Sequence, residues 1–76
     1  NPIAAENTLN KIISTYEDLS IFPESGIPVQ KYVPFAVDYR FVLANNYSIF
    51  YRIENNTVFV IRILYSKRDF LSILFS

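Results

Sequence analysis

Residues 39–65 read YRFVLANNYSIFYRIENNTVFVIRILY, and the pairs Asn45-Asn46 and Asn55-Asn56 cut this stretch into three runs rich in β-branched and aromatic residues. Asparagine tolerates positive φ, and a two-residue loop of this kind suits a type I′ hairpin turn. The spacing predicts an antiparallel meander, within 38–65, with strands over 38–44, 47–54 and 57–65. Two tight turns fix the register, and the register sorts the side chains onto faces. One face is expected to show Arg40, Val42, Ala44, Tyr47, Ile49, Tyr51, Ile53, Val58, Val60, Arg62 and Leu64. The other is expected to show Tyr39, Phe41, Leu43, Ser48, Phe50, Arg52, Phe59, Ile61, Ile63 and Tyr65. Both sets are mainly apolar, whereas an antiparallel sheet with one wet face alternates apolar and polar. The sheet is therefore expected to be covered on both sides.

Upstream, the period changes from two to 3.6. Asn1-Pro2 is a helix start: Asn is among the best caps, and Pro at the first helical position loses only a donor that is orphaned anyway. Ala5, Leu9, Ile12, Ile13, Tyr16 and Leu19 follow at helical spacing as one apolar stripe, which predicts an amphipathic helix over 1–20. Pro23 ends it by pushing Phe22 out of the α region. Residues 21–37 hold Pro23, Gly26, Pro28 and Pro34 and read as an irregular connector packed on the domain by its apolar side chains. The tail, 66–76, begins basic at Lys67-Arg68 and ends apolar. The helix can cover one face of the sheet; the second cover is expected from the tail, from a segment ahead of Asn1 or from another protein. The chain opens with Asn rather than Met, directly at a helix cap, so a preceding segment is expected. The fold class is α+β, one small domain over 1–76 in which a helix packs on a three- or four-stranded antiparallel sheet.

Composition narrows the chemistry. With no Cys and no His among 76 residues, there is no disulfide, thiolate or imidazole, so catalysis would fall to Arg, Lys, Tyr, carboxylates or hydroxyls. A chain of this size buries only about 60–65% of its unfolded surface, so its stability is modest. Its 51% apolar content is too high for disorder, yet no apolar run approaches the ~20 residues that span a bilayer. Without a secretory signal, a cytoplasmic location is expected. Nothing resembles a cofactor motif: one glycine cannot build a phosphate-cradling loop, and no cofactor or metal is expected. The net charge of zero conceals a gradient, with −3 over residues 1–38 and +3 over 39–76. That asymmetry points to a basic surface facing an anionic partner, although small proteins also segregate charge by chance.

The candidate site residues are correspondingly basic. Arg40 and Arg62 are expected on the same face, with Tyr47 and Tyr51 between them, where guanidinium groups beside phenols could grip a phosphate or stabilise charge on one. The plainer alternative ties these arginines to buried carbonyls, or to Asp38 and Asp69. Lys67 and Arg68, leaving the last strand, could bind nucleic-acid phosphates or be a solvated turn. Tyr65 could serve as an acid, a stacking platform or plain core.

The order Tyr39-Arg40, then Asn46-Tyr47-Ser48-Ile49-Phe50-Tyr51-Arg52-Ile53, then Val58 through Ile61-Arg62-Ile63-Leu64, then Lys67-Arg68-Asp69 resembles the C-terminal half of RelE/ParE superfamily toxins. Asn1-Pro2-Ile3-Ala4-Ala5-Glu6 is similar to the start of that family's second helix, so the resemblance covers about residues 1–73. It implies a strand and a helix ahead of Asn1, and a cognate antitoxin as partner in a toxin–antitoxin heteromer; a homodimer is the alternative for the exposed sheet face. It implies one of two targets. The ribosome-dependent mRNA-cleaving branch typically carries Arg one residue after the first Tyr of the central strand, where this chain has Ser48. Many members carry His near the end of the last strand, where this chain has Tyr65. These departures favour the ParE-like branch, associated with poisoning of DNA gyrase and with plasmid stabilization and growth inhibition. On the ribonuclease reading Arg40, Arg62, Tyr65 and Arg68 are the catalytic set. Arg52, Lys67 and Arg68 are the expected contacts to a target or nucleic acid. A third reading is an inactive module that only binds antitoxin.

Overall fold

A computed structural model describes residues 2–65. It consists of helix α1 (Pro2–Ile21), strands β1 (Ile27–Pro28), β2 (Arg40–Ala44), β3 (Tyr47–Glu54) and β4 (Thr57–Leu64), and two 3₁₀ turns at Pro23–Ser25 and Val29–Tyr32. The sheet is antiparallel throughout, in the order β1-β2-β3-β4. The fold is therefore α+β, one helix on a four-stranded antiparallel sheet.

The asparagine pairs make both β2–β3 and β3–β4 hairpins, but in two ways. Asn55 and Asn56 both have positive φ, 52° and 62°, as a type I′ turn requires. In the first turn only Asn45 does, at 55°, so that hairpin departs from the type I′ geometry expected of it. The connector, expected to be irregular, contributes β1: Ile27 pairs with Phe41 and Pro28 with Arg40. Proline is tolerated there because β1 is an edge strand. Beyond it, Val29 N–H donates to the Tyr39 carbonyl at 2.9 Å. Gln30 then organises the bend: its Nε2 donates to the carbonyls of Val33 (3.2 Å) and Phe35 (2.9 Å), and its Oε1 accepts the Val37 N–H (3.0 Å).

The face assignment holds along β2 and β3 and fails in the second half of β4. Tyr51 pairs with Val60 but Phe50 pairs with Arg62, so Ile61 is an extra residue, a β-bulge between Phe50 and Tyr51. Every β4 side chain after it changes side. Arg62 and Leu64 join Phe50 and Ser48 on the face away from α1, and Ile63 joins Ile49 on the α1 face. Arg40 and Arg62 are thus on opposite faces of the sheet, not the same one.

Two apolar clusters sandwich the sheet. On the α1 side Leu19, Tyr51 and Val58 are buried, with Val42 and Ile53 packed against them. On the other side Val29, Phe41 and Phe50 are buried under Val33, Val37, Tyr39 and Leu64. The connector therefore supplies much of the second cover that had been assigned to the tail, a preceding segment or a partner. Each fully buried large side chain here contributes roughly 1.5–3 kcal/mol. The α1 stripe is less buried than its spacing predicts. Leu19 is buried, while Leu9, Ile13 and Tyr16 stay 56%, 47% and 41% exposed, and a cleft opens between Ile12, Ile13 and Tyr16 of α1 and Ile49, Val60 and Ile63 of the sheet.

Candidate functional site

Arg40 opens β2 directly opposite Tyr51 on β3, and the two side chains work as a unit on the chain that follows α1. The Arg40 guanidinium donates to the carbonyls of Gly26 (2.9 Å) and Glu24 (3.2 Å). The Tyr51 hydroxyl accepts the Gly26 N–H at 2.9 Å and donates to the Pro23 carbonyl at 2.7 Å. Tyr51 is fully buried. Burial pushes its phenol above the ordinary value of 10.0; the Gly26 hydrogen bond and the Arg40 charge act in the opposite sense. A phenol held neutral can both donate and accept, and here both capacities are used. Gly26 is the residue this approach requires. A Cβ there would meet the Tyr51 ring at 2.7 Å (Cε1) and 2.9 Å (Cζ), and its hydroxyl closer still. The Gly26 backbone is extended (φ −73°, ψ 160°), so the constraint is space, not conformation. Arg40 therefore has the carbonyl partners that the plainer reading of this arginine expects.

The other basic residues lie elsewhere. Arg52 faces away from α1, half exposed, 3.2 Å from the Glu54 carboxylate and 5.7 Å from the centre of the Phe59 ring. Arg62, exposed on the same face, stands opposite Phe50 and makes no ion pair among the described residues. Tyr65 is 65% exposed and meets Tyr47 edge to face at 5.3 Å, on the α1 side. Lys67 and Arg68 lie outside the described residues. Of the expected catalytic set, Arg40 is at the connector, Arg62 on the far face and Tyr65 against Tyr47: the structure does not bring these three together. It does bring together Arg52, Phe59 and Arg62. Ser48, where an arginine would mark the ribonuclease branch, is 2% exposed.

Two features escaped the sequence reading. Tyr51 as a buried polar anchor was hidden inside a run of alternating aromatics; the signal that could have found it was the lone glycine in a proline-rich connector, which marks a close approach. The position of Arg62 on the face of Arg52 and Phe59 was hidden by the unmarked bulge. The clefts are open and largely apolar. One, about 650 Å³, lies between Ile21, Phe22 and Glu24 at the end of α1 and Ile53 and Asn56 of the last hairpin. Another, about 300 Å³, runs between α1 and β4 over Ile12, Ile13, Tyr16, Ile49, Val60 and Ile63. Among the described residues no group of His, Cys, Asp and Glu could hold a metal ion, and no helix is long and apolar enough to cross a membrane.

Comparison with known proteins gives one result that bears on this arrangement. No curated protein and no solved structure matches the chain. A family model described as the ParE toxin of the type II toxin–antitoxin system parDE matches residues 1–70. That match spans α1, the connector and the whole sheet, and on it the chain belongs to the ParE toxin family.

Proposed function

We propose that this toxin acts by binding DNA gyrase in the cytoplasm, and that its cognate antitoxin neutralises it by occupying the toxin surface. Family membership implies the antitoxin partner. The observation that carries the choice of target is the dispersal of Arg40, Arg52 and Arg62, the arginines among the described residues. Phosphodiester cleavage without His needs guanidinium groups and a proton donor converging on one phosphate. Arg40 is committed to the Glu24 and Gly26 carbonyls, and Arg62 faces away from it across the sheet. The buried Ser48 leaves no guanidinium at the position the ribonuclease branch uses. A surface that binds a large target needs no such convergence. Growth inhibition and plasmid stabilization follow if the toxin outlasts its antitoxin when the genes are lost.

The test is a supercoiling reaction with purified gyrase and the toxin freed of antitoxin. Loss of supercoiling, restored by adding the antitoxin, is expected. Normal supercoiling, together with new ribosome-dependent mRNA ends in a cell-free translation reaction, would overturn the reading in favour of the ribonuclease.

A further inference from the structure

The bulge at Ile61 places an exposed aromatic ring between two guanidinium groups. Arg52 pairs with Phe59 and Phe50 with Arg62; Phe50 and Arg52 are two apart on β3 and so share a face. Arg52, Phe59 and Arg62 therefore occupy three corners of one patch, with buried Phe50 as its floor. Phe59 is 44% exposed and Arg52 lies over its ring, 5.7 Å from the centre. Arg52 and Arg62 occupy diagonal positions across β3 and β4, where Cβ atoms of a regular ladder lie about 7–8 Å apart.

We infer that this patch is a seat for a single strand of nucleic acid, one base stacking on Phe59 and its flanking phosphates meeting Arg52 and Arg62. The inference rests on the gyrase reading for its biological setting, where a toxin could contact a DNA strand the enzyme holds open. An acidic peptide would satisfy the arginines equally but has no use for the exposed part of the ring; base–aromatic stacking does. Glu54, 3.2 Å from Arg52, competes with an incoming phosphate and lowers affinity in the free protein.

The test uses full-length toxin, fluorescein-labelled 12-nucleotide oligomers of deoxythymidine and of uridine, and polyglutamate as competitor, read by anisotropy. Binding is expected, with log affinity falling against log salt by about 0.7 per phosphate contacted. Phe59→Leu should weaken it about ten- to a hundredfold without moving the thermal midpoint. Arg52→Ala and Arg62→Ala should each reduce the salt slope by about 0.7, and Glu54→Gln should tighten binding about two- to fivefold. Preference for the DNA or the RNA oligomer identifies the source of the strand. Absence of binding to both would overturn the seat, as would binding that polyglutamate displaces and Phe59→Leu retains, which would mark an acidic protein surface instead. The supercoiling reaction separates the two claims. Gyrase inhibition by toxin that binds neither oligomer sinks the seat alone, whereas oligomer binding without gyrase inhibition sinks the target alone.

Discussion

Removing one oxygen atom from the core should cost this domain a large part of its stability. In Tyr51→Phe the ring still fills its place in the cluster with Leu19 and Val58, so the change isolates the hydroxyl. Two hydrogen bonds disappear, from Gly26 N–H at 2.9 Å and to the Pro23 carbonyl at 2.7 Å. Gly26 is buried, and its abandoned N–H has no water to turn to, a cost of about 1–3 kcal/mol. Pro23 is only partly buried, so its carbonyl recovers a water and adds roughly 0.5 kcal/mol. Arg40 still grips the Glu24 and Gly26 carbonyls, which keeps the turn from relaxing towards solvent. The sum is about 2 kcal/mol, or roughly 10 °C in thermal midpoint for a domain of this size. Urea unfolding followed by circular dichroism should show a lower midpoint with an unchanged slope. Alkaline pH gives a second reading. A folded pKa raised above 10.0 means the phenol's contribution is complete below about pH 10 and is lost as pH rises through the folded value. The gap between wild type and Tyr51→Phe should therefore narrow above pH 10. A loss under about 0.5 kcal/mol at neutral pH, or a gap that widens in alkali, would refute the reasoning.

Gly26→Ala presses on the same contact from the other side. The added methyl meets a buried ring that cannot swing away, so overpacking of about 1–3 kcal/mol is expected, and pairing it with Tyr51→Leu should recover part of that loss in a double-mutant cycle of unfolding free energies. Arg40→Ala and Arg62→Ala should separate cleanly. The first lowers the thermal midpoint by orphaning two carbonyls; the second leaves the midpoint within about 2 °C, as an exposed substitution should, and weakens inhibition in the gyrase assay. Equal midpoints for the two variants would contradict the structural role of Arg40.

Much of the fold was legible because its signals are local. Asn45, Asn55 and Asn56 take the positive φ that the two turns use, which few residues besides glycine adopt readily, so the strand ends follow to within two residues. Pro2 and Pro23 bracket the helix for equally local reasons. What could not be read depends on contacts between distant residues. Gln30 organises the connector through carbonyls three and five residues on, and no periodicity announces it. The second cover of the sheet came from Val29, Val33 and Val37, residues spaced for neither helix nor strand. Of the candidate site, the faces that carry Arg40 and Arg52 were legible, but the face that carries Arg62 was not. Val60, Ile61 and Arg62 are all acceptable strand residues, so nothing in their identity says which one is extra. A regular ladder drawn from the Asn55-Asn56 turn crosses the bulge and reverses every assignment beyond it.

That reversal can be tested directly, and the location of Arg62 depends on it. A ladder counted without interruption from the turn places Ser48 opposite Ile63, with Arg62 on the α1 face that Arg40 shares across the central strand. The bulged ladder places Ser48 opposite Leu64, with Arg62 beside Phe59. The chain has no cysteine, so engineered pairs report without background. Side chains directly opposite across strands have Cβ atoms about 4.5–5.5 Å apart, and neighbours one residue off register point to opposite faces. A disulfide tolerates only about 3.5–4.5 Å between Cβ atoms, reachable from the first arrangement with a small adjustment and from the second not at all. Ser48→Cys with Leu64→Cys should therefore oxidise to an intramolecular disulfide under mild conditions, seen as a faster band on non-reducing gels, and Ser48→Cys with Ile63→Cys should stay reduced. The opposite result would return Arg62 to the α1 face. It would remove the Phe59 seat, and it would revive a convergence of Arg40 with Arg62 that the bulged register forbids.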